Sequence, residues 1–308
     1  MEVRHRPVLL QQVIESLALE PGLVYIDGTM GSAGHYSAVA SRLVPDGIAI
    51  GIDRDQSAIE RAGAVIAGME LDGVRLHLVH GEIAELERVV HEVGLRHADR
   101  VLFDLGLSSD QLDDPGRGFS FLRDGPLDMR QDRRSTLTAE QVVNDYPPEE
   151  LERILREYGE ERFSRRIVAA ITDRRRGGRI SGTLELASLI EQAMPGRRGK
   201  SHPATRSFQA LRMEVGGEVR QIEEGIRQAV ELLSHSGRLA VITFHSLEER
   251  IVKRTLRPYG RHGGRGDWQV NMLGKVIEPD EEEVQGNPRS RSAKLRIYEK
   301  RLLSGVAR

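Results

Sequence analysis

Val24-Tyr25-Ile26-Asp27-Gly28-Thr29-Met30-Gly31-Ser32-Ala33-Gly34-His35 is the stretch whose reading decides the fold. A short apolar run ends in an acid, glycines follow at Gly28, Gly31 and Gly34, and a helix-like segment opens at His35. The pattern predicts a strand, a tight turn and a helix start. Glycine allows the backbone to turn and to lie against a ligand, and the exposed amides of a helix N-terminus add attraction. A second apolar run, Ile48-Ala49-Ile50-Gly51-Ile52, ends in Asp53, an acid placed to bind ribose hydroxyls.

Outward from this unit the rhythm continues. A helix is expected over Gln11 to Leu19, stopped by Pro21-Gly22, and others over His35 to Leu43, Asp55 to Met69 and Ile83 to Val93. Asp55 reads as an N-cap. Val74 to His80 alternates as a strand does, and Val101-Leu102-Phe103-Asp104-Leu105 is a further apolar run closed by an acid. Strands alternating with helices predict a mostly parallel, Rossmann-like α/β sheet that binds ligands at the carboxyl ends of its strands. Asp27, Asp53 and Asp104 would share that edge.

Beyond Leu112 the pattern breaks. Residues 113–130 are rich in Gly, Asp, Arg and Pro, whereas Thr138 to Arg175 and Thr183 to Met194 look helical. This divides the chain into a first part of an α/β domain (1–111), a helical insertion (112–212) and a second part (213–308). The second part reads as a helix over Glu214 to Leu233, a strand to Phe244 and a helix over Leu247 to Leu256. A mobile Gly/Arg-rich loop to Asp267 follows, and then a last strand over Lys294 to Lys300.

Composition narrows the chemistry. The 308 residues include no Cys, which removes disulfides, thiolate metal sites and cysteine nucleophiles, and agrees with a reducing cytoplasm. No apolar run approaches a membrane span, and residues 1–12 lack the apolar core of a signal peptide. A net charge of −2 hides a basic block: Arg162 to Arg212 holds 12 Arg plus Lys against 3 Asp plus Glu. Such a block fits either a polyanionic partner or a solvated helix surface.

A dinucleotide site has G-x-G-x-x-G after its strand; here the spacing is G-x-x-G-x-x-G with Asp27 at the turn. A carboxylate there repels pyrophosphate and can pair with a cation, so electrostatics favour S-adenosylmethionine over NAD. Asp104-Leu105-Gly106-Leu107-Ser108-Ser109-Asp110-Gln111 follows the fourth strand. Asp104 and Ser108 could accept N–H groups from an exocyclic amine and favour its attacking form, or Asp104 could touch the cofactor while the serines cap a helix. His35 reads as a cofactor-side contact rather than a base, and His245 as a cap or substrate contact. Asp124, Asp128 and Asp132 sit among Gly and Arg and fit an ion-paired loop better than a metal site.

Further blocks carry a resemblance. Among them are Arg117-Gly118-Phe119-Ser120-Phe121, Asp124-Gly125-Pro126-Leu127-Asp128-Met129-Arg130 and Tyr158-Gly159-Glu160-Glu161-Arg162. His202-Pro203-Ala204-Thr205-Arg206 and Phe244-His245-Ser246-Leu247-Glu248 continue the series. With the Asp27 and Asp104 motifs, in order from His5 to Arg296, the chain resembles the bacterial 16S rRNA cytosine-N4 methyltransferases of the MraW (RsmH) family. The resemblance implies a class I S-adenosylmethionine-dependent methyltransferase fold with an inserted substrate-recognition domain, acting on a cytidine N4 in the decoding region. It implies cofactor contacts at Ala33, Gly34, His35, Asp53, Ile83, Asp104 and Gln111, with Ile83 where an aromatic residue often packs on adenine. It also turns the basic block toward RNA. Arg130, Arg162, Arg166, His202, Arg206, Arg212 and His245 become candidate substrate contacts, together with Arg165, Arg174, Arg175 and Arg176.

Overall fold

Apolar runs of four to seven residues build the central sheet: Val24–Asp27 (β1), Ile48–Asp53 (β2), Arg75–His80 (β3) and Ala98–Asp104 (β4). Every residue of β1 is buried, as expected of a parallel strand covered on both faces. The computed structural model describes residues 7–69, 71–194, 196, 202–260 and 267–303. His5, Arg6, Arg197, Arg198, Lys200 and most of the Gly/Arg-rich loop lie outside the described residues.

The chain forms two units, one of residues 1–106 with 219–308 and one of residues 107–218. In the first, helices Leu10–Leu17 (α1), Gly34–Ala40 (α2), Gln56–Ile66 (α3) and Leu86–Glu92 (α4) alternate with the strands. Asp55 caps α3, its carboxylate accepting from the Ser57 N–H. After the second unit come Leu233–Thr243 (β5), Trp268–Ile277 (β6) and Lys294–Leu302 (β7). The sheet order is β3-β2-β1-β4-β5-β7-β6, with β7 antiparallel to both neighbours and the β1–β5 pairings parallel. From β1 the chain builds outward through β2 to β3, then returns to place β4 on the other side of β1. The carboxyl ends of β1 and β4 therefore flank the switch point where ligands bind in open α/β sheets. This is the class I methyltransferase sheet that the resemblance implied.

The second unit packs Ser109–Asp113 (α5), Ala139–Asp145 (α6), Pro148–Glu157 (α7), Ser164–Arg175 (α8), Thr183–Ala193 (α9) and Thr205–Val215 (α10) around its own apolar core. The helical stretch expected over Thr138 to Arg175 is three helices. Pro147 starts a new one because proline cannot continue α6, and Gly159 ends α7 against the carbonyl of Arg206. Leu107 and Leu112 pack on this core, so the unit begins before residue 112. It ends at Glu218, which pairs with Arg212, rather than at residue 212. The helix expected from Glu214 starts at Glu218 (α11, to Leu232), because Gly217 turns left-handed after α10.

Ser246–Leu256 (α12) and the short Glu281–Gly286 (α13) complete the helices. β6 and α13 had no counterpart in the sequence reading. As an edge strand with Met272 exposed, β6 shows only weak apolar alternation. Among the described residues no helix is long and apolar enough to cross a membrane.

Candidate functional site

Three acids end β1, β2 and β4; donors hold the first two carboxyl groups, and the third is placed through its backbone. Asp27 is 1% exposed and accepts from the Tyr25 hydroxyl (3.1 Å) and the Thr29 N–H (3.2 Å). Burial lifts its carboxyl to about 7, and nearby Asp53 adds to the rise. Asp53 accepts from Gly31 N–H on one oxygen and from Asp55 N–H on the other, both at 2.8 Å, so it ties the glycine turn to β2. Its carboxyl is also raised by burial. The Asp104 amide donates to Thr29 Oγ1 at 2.6 Å, clamping β4 to the turn. Its Oδ1 is buried with no hydrogen-bond partner among the described residues. Burial, then the charges of Asp27 and Glu248, push the Asp104 carboxyl well above the usual carboxylate range. One buried and two half-buried carboxyl groups at one sheet edge favour a cationic ligand and disfavour a phosphate.

The turn between these acids is shaped by close approach and by left-handed backbone. A Cβ on Gly28 would meet Phe103 Cδ1 at 2.6 Å and Ile83 Cγ2 at 2.9 Å. Gly31 has φ +54° with open space where a Cβ would stand, and Ala33 has φ +64°. Ala33 is fully buried, and its left-handed conformation costs about 1 kcal/mol that glycine would not incur. Gly34 and His35 open α2 directly after it. Ile83 is 8% exposed and packs between Gly28 and Gly225 of α11.

Two candidate histidines, His35 and His245, lie in this unit, and both side chains are engaged. His35 is buried, its Nε2 2.9 Å from the Val8 carbonyl and its Nδ1 3.7 Å from Asp104 Oδ2. His245 caps α12: Nδ1 accepts from the Glu248 N–H, and Nε2 lies 2.8 Å from Glu248 Oε1. Glu248 is fully buried and also accepts from the Phe244 and His245 amides. Tyr25, Val8 and Glu248 received no role from sequence. Only the fold brings them to the acids, since Tyr25 and Val8 otherwise read as core.

The remaining candidates belong to the second unit. Ser108 forms a capping box with Gln111: its Oγ accepts from Gln111 N–H, and Gln111 Oε1 accepts from Ser108 N–H. Of the two readings left open for this serine, the structure displays the cap. The arginines of the basic block divide sharply. Arg212 forms an ion pair with Glu218 at 2.7 Å, with the two side chains 13% and 9% exposed. Arg175 donates to the carbonyls of Val143 and Tyr146 at the end of α6, and Arg174 pairs with Glu185. Arg130 grips Asp128 with two N–H groups and reaches the Ser135 carbonyl; Arg134 pairs with Asp132. Arg206 donates to Glu160 O. Arg162 and Arg166 are exposed and, among the described residues, their side chains have no hydrogen-bond or ion-pair partner. His202 is exposed, its ring 4.6 Å from Phe121, which in turn meets Phe208 edge-on. Among the described residues, most cations of the block are therefore paired within the unit, several of them at its surface, such as Arg165 with Glu152 and Arg176 with Asp173, and Arg162 and Arg166 are uncommitted.

Comparison with known proteins agrees with this architecture. A model of the MraW methylase family matches residues 2–301. A protein of Methylococcus capsulatus, named ribosomal RNA small subunit methyltransferase H, is 45% identical over 95% of this chain and 99% of its own. Proteins of the same name from Syntrophotalea carbinolica and Geobacter sulfurreducens are each 44% identical. They cover 95% and 97% of this chain and 96% and 100% of their own. With a family match over nearly its whole length and relatives of this identity, the chain belongs to the MraW methylase family.

Proposed function

We propose that this chain transfers the methyl group of S-adenosylmethionine to the exocyclic N4 of a cytidine in the decoding region of small-subunit rRNA. The observation that carries the reading is the acid-lined switch point, Asp27, Asp53 and Asp104 at the ends of adjacent strands, in a chain whose relatives are named rRNA small subunit methyltransferases. The cofactor has ribose hydroxyls, an ammonium and a sulfonium, and no phosphate. The crevice suits it: Asp104 Oδ1 is an orphaned buried acceptor, and space lies open over Gly31. Asp53 would take the ribose, the Ala33–His35 backbone the methionine portion, Ile83 the adenine face, and Asp104 the boundary with substrate. When bound, the cofactor supplies a methyl group on a leaving sulfur.

The protein's own part is orientation and hydrogen-bond acceptance. A cytidine amine is a weak nucleophile because its lone pair is delocalised into the ring. An acceptor at Asp104 Oδ1 for one of its N–H groups favours the pyramidal, attacking form. The base must be unpaired or flipped out to react. In residues 107–218 the exposed His202 ring, backed by half-buried Phe121, is the kind of surface on which a splayed base stacks. Arg162 and Arg166 would meet phosphates and position the strand without reading it. Residues 107–218 are on this reading the substrate-recognition domain, and a ribosomal substrate places the enzyme in the cytoplasm.

Nucleoside mass spectrometry tests the function. The purified protein and S-adenosylmethionine are incubated with naked 16S rRNA, assembled small subunits or duplex DNA. N4-methylcytidine in either rRNA sample supports the proposal and says whether a folded subunit is needed. Product only on DNA would replace it with a DNA amino-methyltransferase. Calorimetric binding of S-adenosylmethionine by Asp53→Ala at wild-type affinity would remove the ribose assignment.

A further inference from the structure

His35 opens α2 with its side chain turned inward, 6% exposed. A carbonyl oxygen has no proton to give, so at 2.9 Å from Val8 O it is Nε2 that carries the hydrogen and donates it. The neutral ring then keeps its lone pair on Nδ1, and that is the atom facing Asp104 Oδ2 at 3.7 Å. Asp104 Oδ1 is buried with no partner among the described residues. One carboxyl group thus has a basic nitrogen behind one oxygen and an unsatisfied acceptor on the other.

We propose that His35 is a positioning residue of the methyl transfer that, acting through Asp104, takes up the proton the cytidine amine loses. This rests on the methyltransferase reading above. The amine nitrogen takes the methyl carbon as the carbon–sulfur bond breaks, its electron pair remaining on sulfur. The nitrogen then carries one positive charge and one proton too many. That proton passes to Asp104 Oδ1 while the proton of Oδ2 passes to His35 Nδ1. Asp104 is neutral before and after, and His35 ends as imidazolium with its Nε2–H still on Val8. Water takes the proton as product leaves.

The charged and titratable surroundings favour the neutral acid that this relay needs. Asp27 ends β1 with Tyr25 bonded to it, and Glu248 on α12 is held by the Phe244 and His245 amides with the His245 ring beside it. Together with burial, these carboxylates raise Asp104. The 3.7 Å separation exceeds a hydrogen bond and must close by roughly 1 Å, a tightening common when substrate binds.

Single-turnover methylation across pH provides the test. His35→Gln keeps a donor for Val8 and removes the basic nitrogen. The expected result is a fall of about 10²–10³-fold in the transfer rate, with S-adenosylhomocysteine affinity and thermal midpoint close to wild type. The acid limb of the wild-type profile should vanish, and free imidazole should partly restore His35→Ala. Transfer by His35→Gln within about threefold of wild type, or a slow variant whose acid limb is unchanged, overturns the proposal. Loss of rate together with loss of cofactor affinity also overturns it, returning His35 to a binding contact. A wild-type protein that makes no methylcytidine on any RNA refutes the functional reading itself, and this one with it.

Discussion

An Asp27→Asn substitution removes a proton site whose affinity rises about a thousandfold on folding, from about 3.9 in an unfolded chain to about 7 here. The folded state holds the proton more tightly, so the wild type is most stable, relative to a non-titrating isostere, below about pH 4, where both states are protonated. As pH rises toward 7 the unfolded chain ionises while folded Asp27 stays neutral, and stability falls by about 1.4 kcal/mol per pH unit. Above the folded value the loss is complete, at about 4 kcal/mol. Asparagine can still accept from Thr29 N–H through its carbonyl, and the Tyr25 hydroxyl can turn to accept from its amide. The Asn variant should therefore gain about 2 kcal/mol on wild type between pH 5 and 7 and only a few tenths more above that. Trp268, the single tryptophan, lies on β6 in the same unit as Asp27, so its fluorescence during urea unfolding reports the relevant transition. A stability difference that stays flat from pH 5 to 8 would refute the reasoning. Function gives the independent half: a cationic ligand favours ionised Asp27, so cofactor affinity should rise toward pH 8 in wild type, and should be weaker and pH-independent in the variant.

Arg212→Met should cost about 3–5 kcal/mol by leaving Glu218 buried without its cation. The double variant Arg212→Met/Glu218→Leu should recover most of that in the same urea titration, and an Arg212→Met protein as stable as wild type would restore it as a free RNA contact. Gly28→Ala, whose new methyl group meets the fully buried Phe103 ring and Ile83, should lower stability by about 1–3 kcal/mol and weaken S-adenosylmethionine binding by calorimetry. Arg162→Glu with Arg166→Glu should leave unfolding unchanged. It should weaken rRNA binding and reduce the salt slope by roughly 0.7 per lost phosphate contact; an unaltered slope would place the RNA elsewhere. Reversing Arg174, Arg175 and Arg176 together is a poorer probe, because Arg175 holds the end of α6 and its loss would damage the fold.

How much of this was legible in one dimension depends on how local each cause is. Strand and helix periods, Asp55 as a cap, the glycine turn and the acids after β1, β2 and β4 all express short-range chemistry, so the sheet and its ligand edge could be read directly. Helix ends at Pro147 and Gly217 were legible in kind, although the apolar spacing on either side masked them. β6 was not, because an edge strand partly facing solvent needs no strong alternation. The arginines show the limit most clearly. Twelve basic residues in one block look like a surface for a polyanion, yet Arg175 is bound to carbonyls that sequence distance hides, and Arg212 to a Glu218 whose burial only the fold reveals. From the sequence alone came the α/β order, the family, the cationic preference of the turn and the position of its acids. Tertiary structure decided which arginines remain uncommitted, that Asp104 keeps an unsatisfied oxygen, and which nitrogen of His35 carries the proton. Those properties depend on burial and on contacts such as Val8 with His35, which exist only once distant segments pack together.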